Sequence, residues 1–176
     1  MSAPGNFLFD DATYNIVRWQ QGGEMLDGSG TPAVGLNDSF MTDNLSITTA
    51  SQDNTVLLTG AGSDWINLEW SGNTSLDPGS GMNFIIGSSN TLNLYDESSA
   101  APVTNTIQDF HPNDTLTLNG NFIALNWQIA SNGDAQVTAL SQNAAPVVND
   151  FQGLAPGQFQ TVSNGHGYSI WMPSFH

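Results

Sequence analysis

An Asx residue recurs through the middle of the chain at a nearly constant interval. Asn44, Asn54, Asp64, Asn73 and Asn83 follow one another at steps of 10, 10, 9 and 10 residues, and each directly precedes a short apolar run: LSI, TVLL, WINL, TSL and FII. An Asx turn followed by a short strand is half of one turn of a β-solenoid, whose full turn would take about 18 to 20 residues. The repeat favours this arrangement over an antiparallel meander, whose strands also recur at short and regular intervals.

The predicted fold is therefore all-β, with a short β-solenoid of parallel strands followed by an antiparallel, strand-rich C-terminal portion. Stacked turns of a roll bury apolar side chains from every strand in a narrow core. We expect the following residues in that core: Val56, Leu58, Ile66, Leu68, Ile85 and Leu92.

Two aromatic residues are predicted to form a column on the outside of the roll. Trp65 alternates with the inward Ile66 and should point outward, and Phe84 has the equivalent place one turn later. The column is either covered by the N-terminal segment, through residues such as Ile16, Val17 and Trp19, or exposed as a platform for sugar rings or another subunit.

The charge balance excludes several functional classes. Lys and Arg together number 1 and Asp and Glu number 16, which gives a formal net charge of −15. Nucleic-acid binding draws on several cations that contact phosphates, and Arg18 alone cannot supply them. Docking on anionic lipid fails for the same reason. Enzymes that need a cationic phosphate clamp or a Schiff-base lysine are excluded as well.

The last third of the chain reads as antiparallel strands. FIALNWQIASNGDAQVTAL predicts a hairpin with a two-residue turn at Asn132-Gly133, and a second Asn-Gly turn stands at 164 and 165. Residues 96–102, DESSAAP, are predicted to be a loop. The ending GYSIWMPSFH is either the end of a secretion signal or a final core strand.

Three segments resemble haemolysin-type (RTX, repeats-in-toxin) calcium-binding domains. TGAGSDWIN, residues 59–67, matches the nonapeptide G-G-x-G-x-D-x-U-x except at its first Gly, and PGSGMNFII, residues 78–86, matches with Asn83 in place of Asp. NTIQDFHPNDTLTLNG, residues 105–120, is similar to the segment that closes such arrays. We divide the chain into an N-terminal segment packing on the roll (1–40), a degenerate RTX-like roll (41–120) and a C-terminal β cap (121–176).

This resemblance implies that the solenoid is a short right-handed parallel β-roll. It also implies type I secretion with an uncleaved C-terminal signal, folding outside the cell, and calcium bound between turns. It is consistent with the N-terminus, MSAPGNFLFDD, which lacks the basic region and continuous apolar region of a secretory signal. Calcium prefers six to eight oxygen ligands and several carboxylates. The implied ligands contain one carboxylate, so we expect weak binding, or hydrogen-bonded Asn ladders in place of metal. The implied metal-site residues are Gly60, Gly62, Asp64, Gly81 and Asn83.

Catalytic signatures are not found: the sequence contains no G-x-S-x-G elbow, H-E-x-x-H or P-loop. His111 stands in the turn DFHPND and is expected to face solvent. The leading hypothesis is a secreted, non-enzymatic structural protein that self-associates into an extracellular matrix, filament or surface layer, with calcium as an accessory. The alternatives are a glycan-binding module that uses Trp65 and Phe84, and, least favoured, a small hydrolase in the N-terminal segment.

Overall fold

The described part of the protein is built from β-strands. The computed structural model describes residues 17–20, 23–27, 34–37, 44–48, 55–68, 72–87, 91–97, 99–165 and 167–174, and no α-helix occurs in these ranges. A 3₁₀ turn spans Pro156–Gln158. The strands are β1 (Val17–Gln20), β2 (Gly23–Asp27), β3 (Val34–Asn37), β4 (Leu45–Thr48), β5 (Thr55–Leu58), β6 (Ala61–Gly62), β7 (Trp65–Asn67), β8 (Asn73–Asp77), β9 (Ser80–Ile86), β10 (Thr91–Glu97), β11 (Val103–Gln108), β12 (Thr115–Asn119), β13 (Phe122–Ile129), β14 (Ala135–Ser141), β15 (Val147–Phe151), β16 (Gln160–Ser163) and β17 (Gly167–Trp171).

These strands form two mixed sheets. The ten-stranded sheet, called sheet A, has the order β1-β2-β4-β7-β9-β11-β15-β14-β13, with β6 paired to β9. The seven-stranded sheet, called sheet B, has the order β16-β17-β12-β10-β8-β5-β3. Pairing is parallel from β2 through β15 in sheet A and from β3 through β12 in sheet B. The β6–β9 pair is also parallel, and the remaining pairs are antiparallel. The all-β prediction is confirmed at this level.

The predicted interval between stacked strands agrees with the strand register. Asp64 and Asn83, which are hydrogen-bonded on neighbouring strands, stand 19 residues apart, or two steps of the repeat. The next residues keep this offset: Trp65 pairs with Phe84 and Ile66 with Ile85. The agreement is limited to the middle of the chain. Other parallel pairs are offset by 21 or 22 residues, as in Glu24–Leu45 and Asn83–Asn105, and Asn149 on β15 reaches its partner Asn105 across 44 residues of sequence.

The core contains one inward row from each strand, and the prediction for β5 is wrong by one residue. Ile66, Leu68, Ile85 and Leu92 are buried as predicted, whereas Val56 is 46% exposed and Leu58 is only partly buried. Leu57 is the inward residue of this strand. The run TVLL contains three consecutive apolar residues, so alternation alone cannot tell which parity faces inward. Leu57 faces inward because it pairs with Leu76, which is buried on the neighbouring strand β8.

The hairpins of the C-terminal portion are antiparallel, as predicted, but β15 also pairs in parallel with β11, and the first turn is longer than two residues. In the β13–β14 hairpin, the Ala130 amide donates to the Asp134 carbonyl at 2.8 Å, which leaves three residues between them. Gly133 has a φ of +95°, the left-handed conformation that suits Gly in such a loop. The final segment provides a core strand: Ile170 on β17 is fully buried and Met172 nearly so. This interpretation of the chain end is therefore correct; its role in secretion stays a prediction.

The predicted loop at residues 96–102 begins later than expected. Strand β10 continues through Asp96 to Glu97, and β11 begins at Val103. The Asp96 side chain is buried, because it lies on the inward parity of β10 with Leu92 and Leu94. Asp96, which the sequence assigns to a polar loop, is therefore part of the protein interior.

Within residues 1–40, the described strands extend the two sheets. Strand β2 pairs with β4 in sheet A, β3 pairs with β5 in sheet B, and β1 forms an antiparallel hairpin with β2. The predicted covering of the aromatic column by Ile16, Val17 and Trp19 involves side chains outside the described residues. No helix in the described ranges is long and apolar enough to cross a membrane.

Candidate functional site

Three of the periodic Asx residues form a hydrogen-bonded ladder along one corner of the stacked strands. Asn44 Oδ1 accepts from the Ser63 amide at 2.8 Å, and Asp64 Oδ1 accepts from the Leu45 amide at 3.0 Å. One strand further, Asn83 Oδ1 accepts from the Asp64 amide at 3.2 Å. Each side chain therefore connects its own segment to the backbone of a neighbouring one. Asn73 is exposed, and Asn54 lies outside the described residues.

The ladder continues into the interior through residues that the repeat does not mark. Asn83 Nδ2 donates to Asn105 Oδ1 at 3.0 Å, and Asn105 Nδ2 donates to Asn149 Oδ1 at 3.0 Å. These three side chains are buried on the inner face of sheet A, on the neighbouring strands β9, β11 and β15. A stack of hydrogen-bonded Asn side chains, the expected alternative to metal, is thus present, but Asn83 is its only member from the repeat among the described residues.

A buried carboxylate from the opposite sheet closes this network. Asp96 Oδ1 accepts from Asn105 Nδ2 at 2.9 Å, and its Oδ2 accepts from Asn149 Nδ2 at 2.8 Å. Because Asp96 lies on β10 of sheet B, these bonds join the two sheets across the core. Burial raises the pKa of Asp96 to about 6, and the two amide donors only partly oppose this. The nearby negative charge of Asp77 raises the pKa further.

A second buried carboxylate supports the opposite side of the fold. Asp114 Oδ1 accepts from the Leu92 amide at 2.7 Å, and its Oδ2 accepts from the His111 amide at 2.6 Å. Burial raises the pKa of Asp114 to about 6 despite these bonds. His111 itself is exposed, as predicted. The carboxylate thus fixes the turn before β12 to the start of β10.

The residues implied as calcium ligands are largely committed to contacts within the protein. Asp64 and Asn83 belong to the ladder, and the Gly60 carbonyl accepts from the Ser80 amide at 3.1 Å. Asp64 Oδ2 is buried and makes no hydrogen bond of regular geometry in the described part of the chain. Burial also raises the pKa of Asp64, and the nearby Thr59 hydroxyl only partly opposes this. Calcium prefers six to eight oxygen ligands, and Asp64 Oδ2 supplies only one of them.

The glycines of the implied metal site allow backbone contact between successive turns. A Cβ on Gly81, whose φ is +114°, would lie 1.7 Å from the Gly62 carbonyl oxygen. A Cβ on Gly79 would similarly lie 1.9 Å from the Gly60 carbonyl oxygen. These glycines are therefore required by the close approach of two backbones. Among the described residues, no cluster of three His, Cys, Asp or Glu side chains is placed to hold a metal. Calcium binding stays a prediction.

A cleft of about 210 Å³ opens beside these turns. Its lining includes Gly60, Gly79, Asp77 and Glu97. Asp77 Oδ1 accepts from the Gly79 amide at 3.0 Å, and the pKa of Asp77 is raised by burial and by the charge of Glu97. The cleft therefore carries two carboxylates, of which one is engaged in stabilising the turn.

The predicted aromatic column is present on the outer face of sheet A. The rings of Trp65 and Phe84 stack with centroids 4.5 Å apart and planes inclined by 17°. Trp65 is 48% exposed and the adjacent Met82 is 69% exposed. Trp65 lies directly opposite Phe84 in the β7–β9 pairing, so the stack follows from the register. Single exposed aromatic residues are common, whereas a stacked pair on a sheet face is a candidate binding platform.

Beyond the rings, the same cross-strand row continues to the edge of the sheet. Its members are the outward residues paired across seven neighbouring strands, and we call them the outer row. They are Ser46, Trp65, Phe84, Thr106, Asp150, Gln136 and Gln128. Gln128 Nε2 donates a hydrogen bond to Gln136 Oε1. The row thus has two rings at its second and third positions, next to Ser46, and polar side chains along the rest.

The edge of sheet A at the C-terminal end is an uncharged strand. β13 has the sequence FIALNWQI, and no strand in the described ranges pairs with its second side. Ile123 and Ile129 are 63% and 69% exposed. A bulge between Phe122 and Ala124 interrupts its pairing with β14, and the pairing is regular from Ala124 to Ile129. The edge of sheet B at the same end, β16, is also uncharged.

The sequence repeat led to Asp64 and Asn83 but not to Asp96, Asn105 or Asn149. The sequence does contain a pattern that marks these three residues. Each alternates with apolar residues on the inward face of its strand, as in Val-x-Asn105-x-Ile and Val-x-Asn149-x-Phe. A polar residue in that position must find a buried hydrogen-bond partner. Sequence alone does not say which partner it finds.

No family model matches the chain, and no curated protein matches it significantly. The resemblance to RTX domains therefore stays a prediction based on the three segments quoted above.

Proposed function

We propose that the protein is a secreted, non-enzymatic structural protein whose copies associate through the edges of their sheets into an extracellular matrix, filament or layer. The observation that carries the proposal is β13, an uncharged edge strand on a chain with a formal net charge of −15. Natural proteins protect such edges with charged side chains, Pro or a covering segment. β13 contains neither a charged residue nor Pro, and its bulge affects only the end at Phe122.

The apolar side chains of the edge favour association of two copies. Ile123 and Ile129 are mostly exposed, and burying a side chain of this size completely contributes about 1.5 to 3 kcal/mol. Pairing would also satisfy backbone donors and acceptors along the regular stretch 124–129. Because this strand carries no charge, it is a place where two acidic chains can approach with little local repulsion.

The net charge provides the opposing force. Fifteen excess negative charges on each copy repel over a distance set by the Debye length, which is about 10 Å at 0.1 M salt. Association should therefore strengthen with ionic strength and with divalent cations. Calcium enters this proposal as an accessory: it screens charge and binds weakly at the turns around Asp64.

The proposal also includes a parallel β-roll architecture and an extracellular location. Successive parallel strands alternate between the two sheets, which supports a parallel β-roll of the RTX kind. Secretion by a type I route is supported by the acidic composition and the lack of Cys, together with the segments that resemble RTX repeats. A protein of this kind would fold outside the cell and assemble there.

Light scattering coupled to size exclusion tests this function, with the purified chain at several concentrations and salt strengths, with calcium or with a chelator. We expect the mass to grow with concentration and salt. The double variant Ile123→Glu, Ile129→Glu should remain monomeric, because two carboxylates on the edge would be buried without partners. The matched control, Val56→Glu, changes an exposed residue on the face of sheet B and should assemble like the wild type.

A wild-type chain that stays monomeric throughout this series would refute the proposal. Equal assembly of the wild type and the double variant would show that β13 is not the interface. Growth that requires calcium would assign the ion a direct part, whereas growth in chelator would leave it a screening role.

A further inference from the structure

The outer row of sheet A has the dimensions and chemistry of an extended binding site. It crosses seven strands, and neighbouring strands lie about 4.8 Å apart, so it spans about 29 Å perpendicular to the strands. Its positions are set by continuous strand register from Ser46 to Gln128. A ligand that fits such a row is long and narrow, with the same chemistry repeated along its length.

The aromatic and the polar members of the row offer different interactions. Trp65 and Phe84 present stacked rings, which bind flat apolar surfaces such as the C–H faces of sugar rings. Thr106 and Gln136 supply hydroxyl and amide groups. Asp150 supplies a carboxylate that is partly exposed on this face, while its Oδ1 is shielded from solvent and has no hydrogen-bond partner in the described part of the chain. Burial and the nearby charge of Asp134 both raise the pKa of Asp150, as expected for a carboxylate without a partner.

We infer that the outer row binds a neutral, linear polysaccharide lying across the strands. The rings stack on its sugar faces, and the partly exposed Asp150 carboxylate accepts from a sugar hydroxyl. The charges decide between classes of polysaccharide: Asp150 is the only charged member of the row, and a chain with one cation and a formal charge of −15 repels a uronate or sulfated polymer. This site goes beyond self-association, because the rings of the row lie several strands away from the β13 edge.

Native affinity electrophoresis provides the test. The protein is run in gels that contain hydroxyethyl cellulose, mixed-linkage β-glucan, glucomannan or xylan, with alginate as the acidic polymer and a polymer-free gel as reference. The assay is repeated in the Ile123→Glu, Ile129→Glu background, so that assembly does not contribute to retardation. We expect at least one neutral polymer to retard the wild type, and alginate not to do so.

Two substitutions identify the surface. Trp65→Ala should weaken binding about tenfold, because it removes the exposed member of the stack. Asp150→Ala should weaken it about fivefold; since its Oδ1 has no partner to lose, this variant keeps the test valid if the Trp65 variant folds poorly. The matched control is Tyr95→Ala, which removes an exposed ring from sheet B and should leave retardation unchanged. Circular dichroism and melting temperature check the fold of each variant.

Three results would overturn the inference: no retardation by any of the four neutral polymers, equal retardation of folded Trp65→Ala and the wild type, or equal retardation by alginate. Loss of polysaccharide binding with intact assembly would separate this failure from a failure of the proposed function. Loss of assembly with intact binding would do the reverse.

Discussion

Acidification should stabilise this protein through Asp96, and the effect can be worked out from its surroundings. In the folded protein the pKa of Asp96 is about 6, because burial disfavours the charged form, whereas the ordinary value is 3.8. A carboxylate with a raised folded pKa takes up its proton in the folded state first. Its contribution to stability therefore increases as the pH falls through about 6, and is complete only below 3.8.

The size of the effect follows from the same two pKa values. Linkage gives a gain of about 1.4 kcal/mol for Asp96 alone between about pH 7.5 and about pH 5. Asp114, with a pKa of about 6, contributes in the same direction. The substitution Asp96→Asn removes the contribution of Asp96 and keeps that of Asp114. Between pH 7.5 and pH 5, the free energy of unfolding of the variant should therefore increase by about 1.4 kcal/mol less than that of the wild type.

Absolute stability of the variant at pH 7.5 depends on two opposing effects. Asp96→Asn removes a buried charge, which favours the fold. It also replaces one acceptor oxygen with an amide NH₂, which then faces the NH₂ of Asn105 or Asn149. Two buried donors that face each other without an acceptor lower the free energy of unfolding by about 1 to 3 kcal/mol. These terms are similar in size, so we expect little net change at this pH and a clear deficit at pH 5.

Urea denaturation at three pH values measures these quantities for both proteins, under low-concentration conditions where the chain is monomeric. The reasoning is refuted if the two proteins show the same pH dependence, or if acidification to pH 5 destabilises the wild type relative to Asp96→Asn.

Three other predictions concern the corners and the ladder. Gly81→Ala should cost several kcal/mol in thermal or urea unfolding, because its Cβ would overlap the Gly62 carbonyl, whereas Gly133→Ala, with a similar left-handed backbone but open space, should cost about 1 to 2 kcal/mol; equal losses would contradict the close-contact argument. Asn105→Ala removes three buried hydrogen bonds and leaves Asp96 with one donor, so we expect a loss of about 3 kcal/mol or more at neutral pH; a loss below about 1 kcal/mol would show that the ladder is dispensable. About 10 mM calcium should raise the unfolding free energy by no more than about 1.4 kcal/mol, as for a dissociation constant of about 1 mM or weaker, and a larger increase that Asp64→Asn abolishes would show a strong site.

The periodic Asx residues predict the strand spacing because register and repeat are the same quantity in stacked parallel strands. Ile66 and Ile85 are paired, and each stands two positions after an Asx residue of the repeat. Trp65 and Phe84 can be placed outward for the same reason, since alternation fixes one residue once its neighbour is known to be buried. These predictions need only local pattern.

Features that depend on contacts between distant segments cannot be predicted in this way. The inward parity of β5 is misassigned from sequence because TVLL is apolar on both faces, and only the pairing of Leu57 with Leu76 distinguishes them. Asp96 is misassigned to a loop because its partners, Asn105 and Asn149, lie 9 and 53 residues away along the chain. A buried polar network is defined by which strands become neighbours, and in particular by the insertion of β15 beside β11.

Hydrogen–deuterium exchange across the assembly transition tests the central claim most directly. Amide exchange is compared for a dilute, low-salt sample and for a concentrated sample at higher salt, with peptides that cover residues 122–129. Edge pairing predicts that the backbone amides on the unpaired side of β13, within the regular stretch 124–129, become protected in the concentrated sample. The double variant Ile123→Glu, Ile129→Glu should abolish this protection. Association with unchanged exchange at β13, or with new protection confined to other strands, would contradict the account.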